Sequence, residues 1–207
     1  MLAICGDSFS YGTVDGTWPK ILADKLNISL LNLSLVAGSN YSICFQLQYI
    51  LDNYNPELII ISLTSATRFE FDKNEYGEPA DISDFTYKVD EIKNSPFLKK
   101  PSILSGNIKY HKKSLSRSLR LEAQYQAWCI QHLISKIKCD YLLYRNIYPR
   151  FHKNINKYSN EEFYGLEKSY GWKNSGPHDF EKTYTKTTNH LSINENIEFA
   201  EYIYNDL

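Results

Sequence analysis

Apolar residues come along this chain in two rhythms. Short, strongly apolar runs at Leu2–Cys5, Ser29–Leu35 and Leu58–Ile61 read as strands buried on both faces. Between them, apolar positions recur every three or four residues. Trp18, Ile21, Leu22 and Leu26 mark one helix, with Thr17 as its expected N-cap and Pro19 in its first turn. Ile43, Cys44, Leu47, Ile50 and Leu51 mark a second helix over Tyr41–Leu51. The breaks between strand and helix fall at Gly6-Asp7-Ser8 and at Gly38-Ser39-Asn40. Further on, Leu119, Trp128, Leu133 and Ile137 predict a long helix over Leu115–Ile137, followed by a strand at Tyr141–Tyr144. Ile197, Ala200 and Ile203 predict a closing helix over Asn194–Tyr204.

Strands and helices in alternation, with strands apolar throughout, predict an α/β fold. A parallel sheet would be covered by helices on both faces and joined by right-handed crossovers. A length of 207 residues fits one domain. Two stretches break the rhythm, at about 69–113 and 148–186, and are expected as insertions at loop ends, where substrate selection usually resides.

Charge sharpens the picture of the first insertion. The formal net charge is only -1, which gives no reason to expect nucleic acid as a partner. That total conceals Phe69–Asp84, with six acidic residues against one lysine, and Thr86–Lys138, with eleven Lys/Arg against three acids. A solvated acidic loop packing on its basic neighbour accounts for the pair. Arg68, beside it, is expected to pair with Glu70 or Asp72, its alternative being a substrate anion. Aromatic residues are plentiful (17 Tyr, 10 Phe, 3 Trp), and Tyr148, Phe151, Tyr158, Phe163, Tyr164, Tyr170 and Trp172 crowd into the second insertion. They read either as ordinary packing or as stacking platforms for sugars.

No apolar run approaches the ~18 residues of a membrane helix, and Met1–Cys5 is too short for a signal peptide, so a cytoplasmic or otherwise soluble protein without membrane contact is expected, with export by other routes left open. The four cysteines lie far apart without metal-ligand spacing and are expected to be reduced, mostly buried thiols; no metal or cofactor is expected.

Candidate chemistry begins at Gly6-Asp7-Ser8-Phe9-Ser10, where the first strand ends. Ligands of open α/β sheets bind outside the strand carboxyl ends, so a serine there is placed to act as a nucleophile; the tripeptide alone is equally an ordinary turn. Its surroundings decide the reading. Gly6 to Gly12, then Thr17-Trp18-Pro19 with Leu22-Ala23 and Leu26, then Asn32 and Gly38, resemble the opening of the SGNH/GDSL hydrolases over roughly the first 40 residues.

The resemblance implies a three-layer α/β/α, flavodoxin-like fold that hydrolyses esters and related acyl bonds without a cofactor. It implies Ser8 as nucleophile and oxyanion donor, Gly38 as a second backbone donor, and His190, in Asn189-His190-Leu191-Ser192, as general base. Of the other histidines (His111, His132, His152, His178), only His178 is a rival. Two positions depart from the family pattern. Ser62-Leu63-Thr64-Ser65 stands where the third block has its Asn, leaving Thr64, Ser65 or Asn40 as candidate donors. Thr187 occupies the place of the triad Asp, so the choice lies between a Ser8–His190 dyad, a displaced acid such as Asp179 or Glu181, and a retired enzyme. The expected function is a serine esterase or deacetylase on small-molecule or glycan acyl esters. The alternatives are a catalytically impaired binding module and, third, an assembly protein using its charged insertion.

Overall fold

β1 (Leu2–Cys5) lies at the centre of the sheet, hydrogen-bonded to β2 (Leu30–Asn32) on one side and β3 (Leu58–Leu63) on the other, and its four residues are all buried. The structure is a computed structural model that describes residues 1–36, 38–64, 124–145, 170–171, 173, 175–182 and 190–207. β4 (Asp140–Arg145) pairs with β3, giving a parallel sheet in the order β2-β1-β3-β4. The expected α/β architecture is therefore present, and its strand order is that of the flavodoxin-like doubly wound sheets. Lys173 extends the sheet beyond β4 through a single parallel bridge to Tyr144, its N–H donating to the Leu143 carbonyl at 2.7 Å.

Side-chain alternation along the strands sorts the core into two layers. Ala3, Cys5, Ile59, Ile61, Leu63 and Leu143 face α2 (Asn40–Asn53) and the helical residues 124–134, named α3 here. Leu2, Ile4, Leu58, Ile60 and Tyr144 face α1 (Trp18–Leu26) and α4 (Ile193–Asp206). The product is a three-layer α/β/α arrangement. Full burial of each such aliphatic side chain stabilises the fold by about 1.5–3 kcal/mol before the entropy cost of ordering it. On the second face Trp18, fully buried, meets Phe199 edge to face at 5.0 Å and so joins α1 to α4.

Where elements differ from the sequence pattern, hydrogen bonding explains the difference. Of Ser29–Leu35 only Leu30–Asn32 form the strand, while backbone bonds from Ser29 and Leu33 carry the pairing with β1 past both of its ends. Thr17 does stand at the N-cap of α1, but its hydroxyl donates to the Val14 carbonyl at 2.8 Å and caps nothing. The acceptor for the first helical N–H comes from α4 instead: Trp18 N donates to Asn196 Oδ1 at 2.8 Å. Residues 115–123 of the expected long helix, the whole of the 69–113 stretch, and most of 148–186 lie outside the described residues. Among the described residues no helix is long and apolar enough to cross a membrane.

Candidate active site

Ser8 sits at the apex of a turn that closes β1. Ser10 N donates to the Asp7 carbonyl at 3.0 Å and Phe9 N to Asp7 Oδ1 at 3.0 Å, leaving the Ser8 N–H outside the hydrogen bond that defines the turn. Both limbs of the turn are fixed. The Gly6 carbonyl accepts from Leu35 N at 3.1 Å, the Phe9 carbonyl accepts from Trp18 Nε1 at 2.9 Å, and the Ser10 carbonyl accepts from Asn32 Nδ2 at 2.8 Å. Gly6 itself admits no side chain, because a Cβ there would lie 2.7 Å from the Ser10 Cβ. Ser8 is only 3% exposed and Asp7 is fully buried.

The other candidates arrive at helix starts. Gly38 precedes Ser39, the N-cap of α2, whose hydroxyl accepts from Tyr41 N and Ser42 N while the Ser42 hydroxyl accepts from Ser39 N, a capping box. His190 stands two residues before Ser192, the N-cap of α4, where Glu195 completes a second capping box. The positive ends of two helix dipoles are thereby brought to the carboxyl end of the sheet, a setting that favours developing negative charge. α4 is fixed there because Asn196 accepts from Trp18 N and its amide donates to the Leu191 and Ser192 carbonyls, at 3.2 and 3.0 Å.

Ser8 and His190 are brought into one neighbourhood through Phe9. The Phe9 and His190 rings lie 4.7 Å apart, tilted by 30°. His190 adopts a φ of 64°, the left-handed region that non-glycine residues rarely enter, and backbone strain of this kind collects at functional sites.

The remaining candidates separate. Gly38 packs closely on the Ser8 turn, since a Cβ on it would lie 3.5 Å from the Gly6 carbonyl oxygen, but its N–H donates to the Leu35 carbonyl at 3.1 Å. Asn40 is fully buried and both ends of its amide are committed to Thr64, accepting from its N–H at 2.9 Å and donating to its carbonyl at 3.0 Å. Among the described residues, Thr64 Oγ1 is buried without a hydrogen-bond partner. Asp179, in a short 3-10 helix (Pro177–Phe180), is exposed, and its carboxylate accepts from Gly176 N at 2.9 Å. Ser65, Arg68, His111, His152 and Thr187 lie outside the described residues, as does the His178 side chain. His132 stacks on Trp128 with ring centroids 5.9 Å apart and belongs to the outer side of α3.

Two of the residues that brace these segments carry no motif, and a third is marked by its capping-box spacing. Asn196 and Gln46 are polar residues on the inner faces of their helices, which is the signal that marks them. Glu195, also buried, gives one carboxylate oxygen to Lys182 N and the other to Ser192 N, so this acid near His190 is spent on backbone donors; the Ser-x-x-Glu spacing announces it.

Comparison with solved structures bears on the fold. The chain is similar over its whole length, and over 98% of the other chain, to a putative lipolytic protein of the G-D-S-L family from Desulfitobacterium hafniense DCB-2, with a TM-score of 0.56 at 13% identity. The fold is that of the SGNH/GDSL hydrolases. The psychrotrophic esterase EstA from a Pseudoalteromonas species, solved inhibited by monoethylphosphonate, shares this SGNH fold with a TM-score of 0.56 at 14% identity, covering 99% of this chain and 94% of its own. TesA does so at 0.54 and 12%, with coverage of 99% and 96%. No family model matches the sequence, and no curated protein matches it. At these identities the likeness concerns the SGNH fold, and the chemistry rests on the residues of this chain.

Proposed function

We propose that the protein is a serine esterase or deacetylase acting on small acyl esters, O-acetylated carbohydrate among them. The observation that supports this most directly is the placement of Ser8 on a braced turn at the end of β1 with His190 against the neighbouring Phe9 ring. In this reading His190 takes the Ser8 proton as Oγ attacks the ester carbonyl, then gives it to the departing alcohol. Water, deprotonated by the same imidazole, releases the acid from the acyl-Ser8 intermediate. The Ser8 N–H meets the oxyanion, and the Gly38 N–H joins it once freed from the Leu35 carbonyl. Because Asn40 occupies both backbone groups of Thr64, the Thr64 hydroxyl is the group left at the end of β3 to serve as a third donor beside Ser65.

A panel of p-nitrophenyl esters from acetate to butyrate tests this. Wild type should release p-nitrophenol, and Ser8→Ala and His190→Ala should each remove nearly all of it. Equal rates in wild type and Ser8→Ala would rule the enzyme out. The engaged Gly38 N–H favours a second reading, an impaired module that binds such ligands without turnover. That reading predicts affinity for acetylated oligosaccharides that survives Ser8→Ala.

A further inference from the structure

We infer that Gln46, which no motif singles out, is a positioning residue for the nucleophile. This rests on the esterase reading above. The ladder between β1 and β3 ends at the Cys5–Ile61 rung, and that between β1 and β2 at Ile4–Asn32. Gly6 is the first residue beyond both: its carbonyl still accepts from Leu35 N at 3.1 Å, while its N–H is met by a side chain. Gln46, reaching across from α2, gives the N–H its acceptor and the carbonyl a second donor. Its Oε1 accepts from the Gly6 N–H at 2.8 Å and its Nε2 donates to the Gly6 carbonyl at 3.2 Å. A primary amide carries the same donor and acceptor pair as a peptide, so it holds both backbone groups of Gly6 at once, sharing the carbonyl with Leu35 N.

Burial makes the contact obligatory. Gln46 shares the inner face of α2 with Ile43, Leu47 and Ile50, where an amide without partners is costly. Gly6 supplies the partners, and in return its direction out of β1 is fixed. That direction is passed to Ser8 because the turn folds back on Gly6: Ser10 lies over the Gly6 Cα so closely that a Cβ there would meet its Oγ at 2.8 Å. Ser8 is the apex between these two points. His190 is held from the opposite layer, through Phe9 and α4, so a shift of Gly6 moves Ser8 relative to its base.

The same helix repeats the device one strand over. Asn40 grips the N–H and the carbonyl of Thr64, just past β3, as Gln46 grips Gly6, just past β1. α2 thereby sets the spacing between the exits of two adjacent strands, and with it the spacing of the groups that must converge on one substrate carbonyl. Packing alone asks for no amide at either place; an aliphatic side chain fills the same volume.

The experiment compares wild type, Gln46→Met, Gln46→Asn and Ser8→Ala in p-nitrophenyl acetate kinetics and in the second-order rate of labelling by a fluorophosphonate probe. Met fills the site and removes both hydrogen bonds. Asn is one methylene too short to span both Gly6 groups and leaves room for water, so it keeps the comparison open if the Met variant does not fold. Displacement of a reacting group by about 1 Å costs on the order of 10²-fold in rate. The expected result is a fall in kcat and in labelling rate of about 10- to 100-fold with KM within about threefold, in variants whose circular dichroism matches wild type. Variants that match wild type in kcat, while Ser8→Ala is inactive, overturn the role of Gln46 and leave the esterase reading standing. Absence of Ser8-dependent hydrolysis and labelling in wild type overturns both.

Discussion

Asn196, in the first turn of the last helix, accepts the N–H of Trp18, the first residue of the first helix, at 2.8 Å across 178 positions of sequence. The bond caps α1 with a side chain from α4, while the same amide holds the Leu191 and Ser192 carbonyls next to His190. Fold closure and placement of the proposed base therefore share one side chain.

Replacing that side chain should cost both. Asn196→Ala removes an N-cap acceptor and a donor to two buried carbonyls, so a loss of about 1–3 kcal/mol is expected. Chemical denaturation measures it. Activity in the folded fraction should fall as well, because the backbone after His190 loses its anchor.

Thr64 offers an opposite signature. Its buried hydroxyl has no partner among the described residues, so Thr64→Val should leave the midpoint of thermal unfolding unchanged or raise it. If the hydroxyl meets the oxyanion, the same substitution should lower kcat by on the order of 10²-fold, as loss of one such donor does. Unchanged kcat in a stable variant would remove Thr64 from the site.

Asp179 is one of the two displaced acids, with Glu181, that the sequence offers in place of Thr187, yet its carboxylate is exposed and bonded to Gly176 within its own turn. A Ser8–His190 dyad is therefore expected to work without it. Asp179→Asn should retain ester hydrolysis within a few-fold of wild type, whereas loss of a true triad acid lowers rate by ~10⁴. A loss approaching that size would restore Asp179 as the third member.

The buried thiols set an alkaline limit. Burial, with Cys44 beside it, pushes the Cys5 thiol far up, and burial, with Cys129 beside it, pushes Cys44 up to about 12. An unfolded thiol titrates near ~8.5, so the unfolded chain gives up its protons first as pH rises. The stability these groups contribute is complete below about pH 8.5 and is lost progressively towards pH 12. Cys44→Ala should flatten the fall in denaturation midpoint over that window. A midpoint that falls equally steeply in the variant would show that the Cys44 thiol is not its source.

Much of this was legible in the residues. Apolar runs gave β1 and β3 because strands buried on both faces cannot hide their composition, and the helical spacing of Trp18, Leu22 and Leu26 gave α1. The Gly-Asp-Ser turn and the His before the last helix were legible as a motif. The braces were not. Gln46, Asn40 and Asn196 act through pairings 40, 24 and 178 residues apart, which no local pattern encodes. Gly38 shows the same limit, since its N–H is committed to Leu35 by a turn whose closure depends on tertiary contact with Gly6.

Ser8 as the nucleophile is tested most directly by the site of covalent modification. Wild-type protein treated with a fluorophosphonate and mapped by peptide mass spectrometry should carry one adduct, on Ser8, with hydrolysis lost in proportion to labelling. His190→Ala should label far more slowly. An adduct on another residue, or full hydrolysis by protein labelled at Ser8, would contradict the account.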